Sequence, residues 1–178
     1  MHAPSGEGAP WPARESSPTP FEHFFREHYA AVVRLAASVV GDSHAAQDVA
    51  QEVFLAAHRR FGGRPDAAAG WVRVASVHTA LNMVRGQRRR HRRHLLVGAA
   101  PHAPSPEEAV IDREAHAEVR RALAALPTRS ATVLVLRYGG ESYHDIAVAI
   151  GVDVGQVGTM LRRAESALCK EMERAPRT

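Results

Sequence analysis

Residues 142–164 read SYHDIAVAIGVDVGQVGTMLRRA. Apolar residues recur at helical spacing on both sides of Gly151, so the stretch has the pattern of a helix, a tight turn and a second helix. Ser142 and Asp145 can cap the first helix, and Asp153 can cap the second. Two short helices joined by a glycine turn are a common way to place a helix in the DNA major groove. The segment therefore predicts a helix-turn-helix that binds nucleic acid.

The second helix of this motif divides its side chains between a core and a free surface. Its predicted buried stripe consists of Val157, Leu161, Ala164 and Leu168. The side chains left on other faces, where they can contact DNA, are Gln156, Thr159, Arg162 and Arg163. An ordinary helical hairpin inside a core is the alternative interpretation of the same pattern.

Bulk properties limit the class of protein. The chain has 178 residues, a formal net charge of +4 and a sequence pI near 10.0, which suits one or two small domains and weakly favours a polyanionic partner. No apolar run is long enough to span a membrane, and no signal-peptide pattern is visible. Cys169 is the only cysteine, so neither an intrachain disulfide nor a cysteine-based zinc site is possible. We expect a cytoplasmic protein without membrane insertion.

Helical spacing runs through most of the chain, and no segment shows the alternation of a strand. Residues 1–20 are rich in Pro, Gly, Ser and Ala and predict a disordered tail. Residues 21–97 predict a first helical domain, residues 98–113 a proline-bearing linker, and residues 114–173 a second helical domain that ends in the helix-turn-helix. The predicted fold is all-α, with two small helical domains joined by a flexible linker.

A run of arginines is the second strong feature. Residues 85–94 read RGQRRRHRRH, at the end of the helix that Trp71 begins. Like charges repel each other, but a phosphate backbone would stabilise the whole run by releasing counterions. Trp71 at the other end of the helix could engage bases. A solvated helix end and a plain core tryptophan are the alternatives.

Site chemistry of other kinds is weak. His91 and His94 have a spacing that could suit a metal, but their arginine neighbours disfavour a cation. No nucleophile elbow, phosphate loop or pair of catalytic carboxylates occurs. The sequence predicts no metal, no cofactor and no enzymatic activity.

With these parts in order, the chain resembles the extracytoplasmic-function (ECF) sigma factors, small members of the sigma-70 family of bacterial transcription initiation factors. The resemblance covers roughly residues 21–172, and it is the order and spacing of the blocks together that make it specific. The blocks are AQDVAQEVFL at 46–55, WVRVASVHTALNMVR at 71–85, AALP at 124–127, VLVLRY at 133–138, and the helix-turn-helix from Ser142 through Leu161.

The resemblance implies a role for each domain. The first domain, region two, would dock on the β′ clamp helices of core RNA polymerase through Asp48, Gln51, Glu52 and Phe54. It would also melt and hold the minus-ten promoter element through Trp71, His78, Asn82, Arg85, Arg88, Arg89 and Arg90. The second domain, region four, would touch the β-flap and contact the minus-thirty-five element of promoter DNA through Tyr143, Gln156, Thr159, Arg162 and Arg163. Anti-sigma factors often sequester such proteins, and catalysis belongs to the polymerase.

Some positions depart from the family pattern. Gly158 stands where relatives usually carry a basic residue, and Met160 and Glu165 stand where they carry arginine. His78 replaces a common asparagine, and Val74 a common arginine. Our hypothesis from the sequence is that the second domain binds DNA weakly or recognises an unusual element.

The predicted linker can be compared with the promoter. Elements about 25 base pairs apart are separated by roughly 85 Å at about 3.4 Å per pair. An extended linker reaches roughly 45 Å, and two domains with radii of about 15 Å supply the rest. The linker would therefore have to be nearly extended in the complex. Two other functions remain open from the sequence: a stand-alone dimeric helix-turn-helix regulator, and a degenerate sigma paralogue that binds polymerase without initiating transcription.

Overall fold

The computed structural model describes residues 18–62, 64–97 and 110–174. Within them the chain forms seven α-helices, one 3-10 turn and no strand: α1 (Pro20–Val40), α2 (Ser43–Phe61), the turn Pro65–Ala68, α3 (Ala69–Val97), α4 (Val110–Ala125), α5 (Thr128–Tyr138), α6 (Tyr143–Ile150) and α7 (Val154–Arg174). The all-α prediction is confirmed. Most of the predicted tail and linker lies outside the described residues, but helix α4 includes residues 110–113, which the sequence assigns to the linker.

Local signals set the helix ends of the first unit, α1–α3. Thr19 accepts a hydrogen bond from the Glu22 N–H at 3.2 Å, and the Glu22 carboxylate accepts one from the Thr19 N–H at 2.6 Å, which completes a capping box. Helix α1 ends at Gly41, whose φ of 75° is left-handed. Asp42 then caps α2 by accepting from the Ala45 N–H at 2.7 Å. The tight turn between these caps packs α2 against α1.

The core of the first unit is centred on aromatic rings. Phe24 and Phe54 are each 2% exposed, with ring centroids 5.9 Å apart. Phe25 contacts Phe54 edge-on at 4.8 Å, and Val49 and Leu81 are fully buried beside them. Burying one such side chain contributes roughly 1.5–3 kcal/mol, so this cluster fixes α2 and α3 on α1.

The second unit, α4–α7, surrounds a smaller aliphatic core. Its fully buried members include Leu134, Leu136, Ile146 and Val157. The chain enters α5 through Pro127, which occupies the cap position without a side-chain hydrogen bond. Thr128 is the first helical residue.

The two units pack directly on each other. Helix α3 lies against α5 and α6, and α1 lies against α4 and α5. A Cβ atom added to Gly70 in α3 would lie only 3.3 Å from the Ala149 Cα in α6, so the backbones approach closely. Gly139 likewise leaves the space that the Leu35 side chain fills. We call this contact between the two units the seam, and it gives the described residues a closed arrangement.

Candidate nucleic-acid interface

The helix-turn-helix has the predicted turn and most of the predicted capping. The Ser142 hydroxyl oxygen accepts from the Asp145 N–H at 3.1 Å, and the hydroxyl donates to the Asp145 carboxylate at 2.6 Å. That second bond lowers the pKa of Asp145 and replaces the backbone contact of a full capping box. Gly151 has φ 69° and ψ 52°, and the Val152 N–H donates to the Ala147 carbonyl at 3.0 Å. This left-handed turn sets the angle between α6 and α7.

Helix α7 presents a basic strip to solvent. Val157, Leu161 and Ala164 are buried as predicted, and Leu168 is partly buried against the core. On the other faces Gln156, Arg162 and Arg163 are exposed and Thr159 is half-buried. A shallow groove follows this face and is lined by Thr159, Arg162, Arg163, Ser166, Ala167 and Lys170. Lys170, which the sequence reasoning missed, extends the positive charge, so the strip suits a phosphate backbone.

Tyr143 stands at the edge of this strip. Its ring is 41% exposed, and the Arg137 guanidinium lies 5.2 Å from the ring centroid. A Cβ atom at Gly158 would lie 3.6 Å from the ring edge, so the glycine backs the tyrosine from α7. Gly158 is one of the three residues of α7 that depart from the family pattern, and it lies beside a predicted DNA contact.

The other two departures have different surroundings. Met160 packs against the core of the second unit rather than standing free on the strip. Glu165 accepts a hydrogen bond from the Tyr138 hydroxyl at 3.1 Å. Met160 therefore has a packing role, and Glu165 has a hydrogen bond within the second unit. An arginine in place of Met160 would not fit the apolar surroundings of that side chain.

A groove between α2 and α3 brings several predicted contacts of the first unit together. It is lined by Glu52, Val53, Ala56, Trp71, Val74, Ala75, His78 and Thr79. The Trp71 ring is half-buried, meets Phe61 edge-on at 5.6 Å, and lies 6.0 Å from the Arg60 guanidinium. The tryptophan is therefore both a packing residue and part of the groove wall.

His78 lies at the rim of this groove. Its imidazole is exposed on one side, but partial desolvation, with the positive charge of Arg85 second, lowers the pKa of His78. The lowered pKa favours the neutral ring, which can accept as well as donate a hydrogen bond. Asn82 is exposed one turn farther along α3.

The arginine run divides between two surroundings. Arg89 and Arg90 are exposed and available to a ligand. Arg85 is half-buried in the seam, where its guanidinium donates to three acceptors of the second unit. Arg88 donates to the Arg121 carbonyl at 3.1 Å. The predicted minus-ten surface is therefore not continuous in this arrangement, because two of its cations face protein.

Helix α2 has one exposed face of mixed chemistry. Asp48, Gln51 and Glu52 are exposed as a docking role requires. Phe54 is not on this face: it is buried in the aromatic core, where a partner cannot reach it, so its assignment to docking is wrong. Leu55 is 56% exposed instead. Its i+3, i+4 and i+7 spacing from Glu52, Gln51 and Asp48 was the signal that could have identified it.

No three His, Cys, Asp or Glu side chains converge within the described ranges in a way that could hold a metal ion. No helix among the described residues is long and apolar enough to cross a membrane.

Two family models match the chain, one within each of the two units. Residues 24–90 match the family model of sigma-70 region 2, and residues 116–168 match that of sigma-70 region 4. The RNA polymerase sigma-H factor of Pseudomonas aeruginosa is 32% identical over 166 residues, which cover 86% of each chain. The ECF RNA polymerase sigma factor SigM of Mycobacterium tuberculosis is 34% identical over 158 residues, covering 84% of this chain and 76% of SigM.

Two further proteins are similar to the chain. The ECF RNA polymerase sigma factor SigE of Mycolicibacterium smegmatis is 30% identical over 158 residues, and this chain spans 60% of its length. Among solved structures, the sigma factor RpoE in complex with the anti-sigma factor NepR from Bartonella quintana is similar with a TM-score of 0.48. That similarity covers 88% of this chain and 98% of the other, at 19% identity.

Proposed function

Because the chain belongs to the sigma-70 family of RNA polymerase sigma factors, in its extracytoplasmic-function group, we propose that it directs core RNA polymerase to specific promoters and initiates transcription there. The observation that carries the proposal is that both family regions are present in order, and each has its own exposed surface of the expected chemistry. The chain would supply specificity in the cytoplasm, and the polymerase would supply catalysis.

The basic strip of α7 is the proposed surface for the minus-thirty-five element. In this proposal Gln156 and Thr159 would meet base edges, while Arg162, Arg163 and Lys170, which line the exposed groove with Thr159, would hold phosphates. Phosphate contacts fix the register of a helix in the groove, and a few side chains then supply the specificity. Tyr143, backed by Gly158, adds an aromatic edge to this surface.

The groove between α2 and α3 is the proposed surface for the minus-ten element. Trp71 offers a ring on which an unstacked base can lie, and such stacking is worth roughly 1–3 kcal/mol. That gain is comparable to the few kcal/mol that flipping a base costs. His78 and Asn82 supply hydrogen bonds, and Arg89 and Arg90 follow the backbone. Arg85 and Arg88 join them only when they leave the seam.

The exposed face of α2 is the proposed docking surface for the β′ clamp helices. It combines Asp48, Gln51 and Glu52 with the apolar Leu55. A mixed face of this kind suits a specific but reversible interface, because an apolar centre gives affinity and the charges give orientation. Contact with the β-flap and sequestration by an anti-sigma factor remain predictions of the sequence resemblance.

Binding both elements requires the two units to separate. A compact chain of this length has a radius of gyration of about 16 Å and so measures about 40 Å across. Elements about 25 base pairs apart lie roughly 85 Å from each other. The closed arrangement is too short to reach both, and the connecting segment between α3 and α4 has to extend.

Retention of DNA with and without core polymerase tests the proposal. Sheared genomic DNA would be passed over the tagged chain alone and over the chain loaded with core. We expect specific fragments to be retained only with core, because each DNA surface is small by itself. Specific retention by the chain alone would instead indicate a stand-alone regulator, and core binding without specific fragments would indicate a degenerate paralogue.

A further inference from the structure

The most concentrated set of contacts across the seam is centred on one side chain. The Arg85 guanidinium donates from Nε to the Ala124 carbonyl at 3.0 Å, from Nη2 to the Leu126 carbonyl at 2.6 Å, and from Nη1 to the Thr128 hydroxyl at 2.8 Å. We call this set the Arg85 latch. Three of the five guanidinium N–H donors, one on each nitrogen, are engaged, so the side chain faces the second unit rather than a phosphate or a base.

The acceptors explain why a guanidinium suits this position. Two of them are carbonyls at the C-terminal end of α4, which have no partner within their helix and carry the negative end of its dipole. Arg88 does the same one turn earlier by donating to the Arg121 carbonyl. In solution, water can satisfy these carbonyls, and phosphate can satisfy the arginines. The latch can therefore exchange one set of partners for another without leaving a group unpaired.

We propose that the Arg85 latch holds the free chain in a self-inhibited closed state, and that Arg85 serves alternately as latch and as DNA contact. This inference rests on the proposed function for its consequence, since a closed chain cannot reach both promoter elements. The closed state itself is a property of the chain alone. Polymerase and promoter would drive opening by binding only the separated units.

An ion pair also crosses the seam. The Arg73–Glu141 bridge joins α3 to the turn before α6 at 3.0 Å, with side chains 22% and 14% exposed. Burial raises the pKa of Glu141 in spite of the attraction of Arg73, so the ion pair does not fully offset the cost of its own desolvation. Such a bridge gives the closed state its geometry more than its stability.

A reversible disulfide tests inhibition directly. A Cβ atom at Gly70 would lie 3.5 Å from the Ala149 Cβ, within the range of natural disulfides. The variant would carry Gly70→Cys and Ala149→Cys, with Cys169→Ser to remove the native thiol. Its matched controls are the two single-cysteine chains. Oxidation would be verified on a non-reducing gel, and initiation with core polymerase would be measured on genomic promoter fragments before and after dithiothreitol.

We expect the oxidised chain to initiate at least about tenfold less than the same chain after reduction, while the single-cysteine controls do not respond to dithiothreitol. A fully oxidised chain that initiates as well as its reduced form would overturn the proposal. If neither the reduced chain nor the controls initiate transcription, the result counts against the proposed function. The latch is then tested by energy transfer in the free chain, which needs neither polymerase nor DNA.

Energy transfer in the free chain tests the latch without polymerase or DNA. Dyes on the native Cys169 in α7 and on Arg26→Cys in α1 would report the separation of the units. Arg85→Lys keeps the charge but cannot reach three acceptors at once, so we expect the open fraction to rise about tenfold, the effect of one net charge-assisted hydrogen bond. The matched control is Arg90→Lys, on the exposed side of the same helix. Equal transfer in both variants and the parent chain would contradict the latch.

Discussion

Gly158 allows the stability of the recognition helix to be separated from its charge. The residue lies within α7, where glycine costs about 1 kcal/mol relative to alanine. An added Cβ would meet the Tyr143 ring at 3.6 Å, an ordinary van der Waals distance, so nothing has to move. We therefore expect Gly158→Ala to raise the free energy of unfolding by about 1 kcal/mol, and the Tm by about 2–4 °C for a chain of this size.

Gly158→Lys should give a similar but smaller stabilisation, because Arg137 lies on the same tyrosine and the two cations repel. Its distinct effect is on DNA. If the new ammonium contacts one phosphate, the slope of log affinity against log salt steepens by about 0.9 relative to Gly158→Ala. Holoenzyme affinity for one promoter fragment would be measured for both variants from low to moderate salt.

A different result would contradict the reasoning for each variant. A loss of stability in Gly158→Ala would show that the Tyr143 ring needs the space that glycine leaves, and that our account of how these two residues pack is wrong. Equal salt slopes for the alanine and lysine variants would show that this face of α7 does not lie along a phosphate backbone.

Further predictions concern the core, the docking face, pH and the basic strip. Phe54→Ala should lower the free energy of unfolding by about 3–5 kcal/mol in urea titrations, whereas Leu55→Ala should leave stability unchanged and weaken binding of core polymerase; the reverse pattern would contradict our assignment of the two side chains. Burial lowers the pKa of His28 in the folded chain below its value in the unfolded chain. As the pH falls, the unfolded chain therefore takes up the proton at a higher pH than the folded chain does, and stability is lost below about pH 6.5. His28→Gln should make the pH dependence of the free energy of unfolding shallower between pH 7.5 and 5.5, and an unchanged slope would contradict this. Arg162→Gln should reduce the salt slope of promoter binding by about 0.9 and weaken all sequences alike; a change confined to one promoter position would show base contact instead.

Sequence patterns were sufficient wherever the deciding contacts are local. The cap at Ser142 and the turn at Gly151 depend on groups within a few residues, and the structure contains them. The stripe through Val157 and Leu161 depends only on helical periodicity. For the same reason the order of helices and the all-α class could be predicted without any tertiary information.

The errors lie where tertiary packing decides. Phe54 and Leu55 are adjacent apolar residues, and only the rotation of α2 against α1 determines which one is buried. Met160 interrupts a polar face in the sequence but reaches the core in the fold. The partners of Arg85 are about forty residues away in the chain, as Ala124, Leu126 and Thr128 show, and no local pattern indicates them.

In vitro transcription tests the central claim most directly. Purified core polymerase would be incubated with the chain and a library of genomic fragments, and the 5′ ends of the transcripts would be sequenced. Our account predicts start sites that depend on the chain and share one pair of upstream elements at fixed spacing. Transcripts that do not depend on the chain, or start sites with no shared pair of elements, would contradict it.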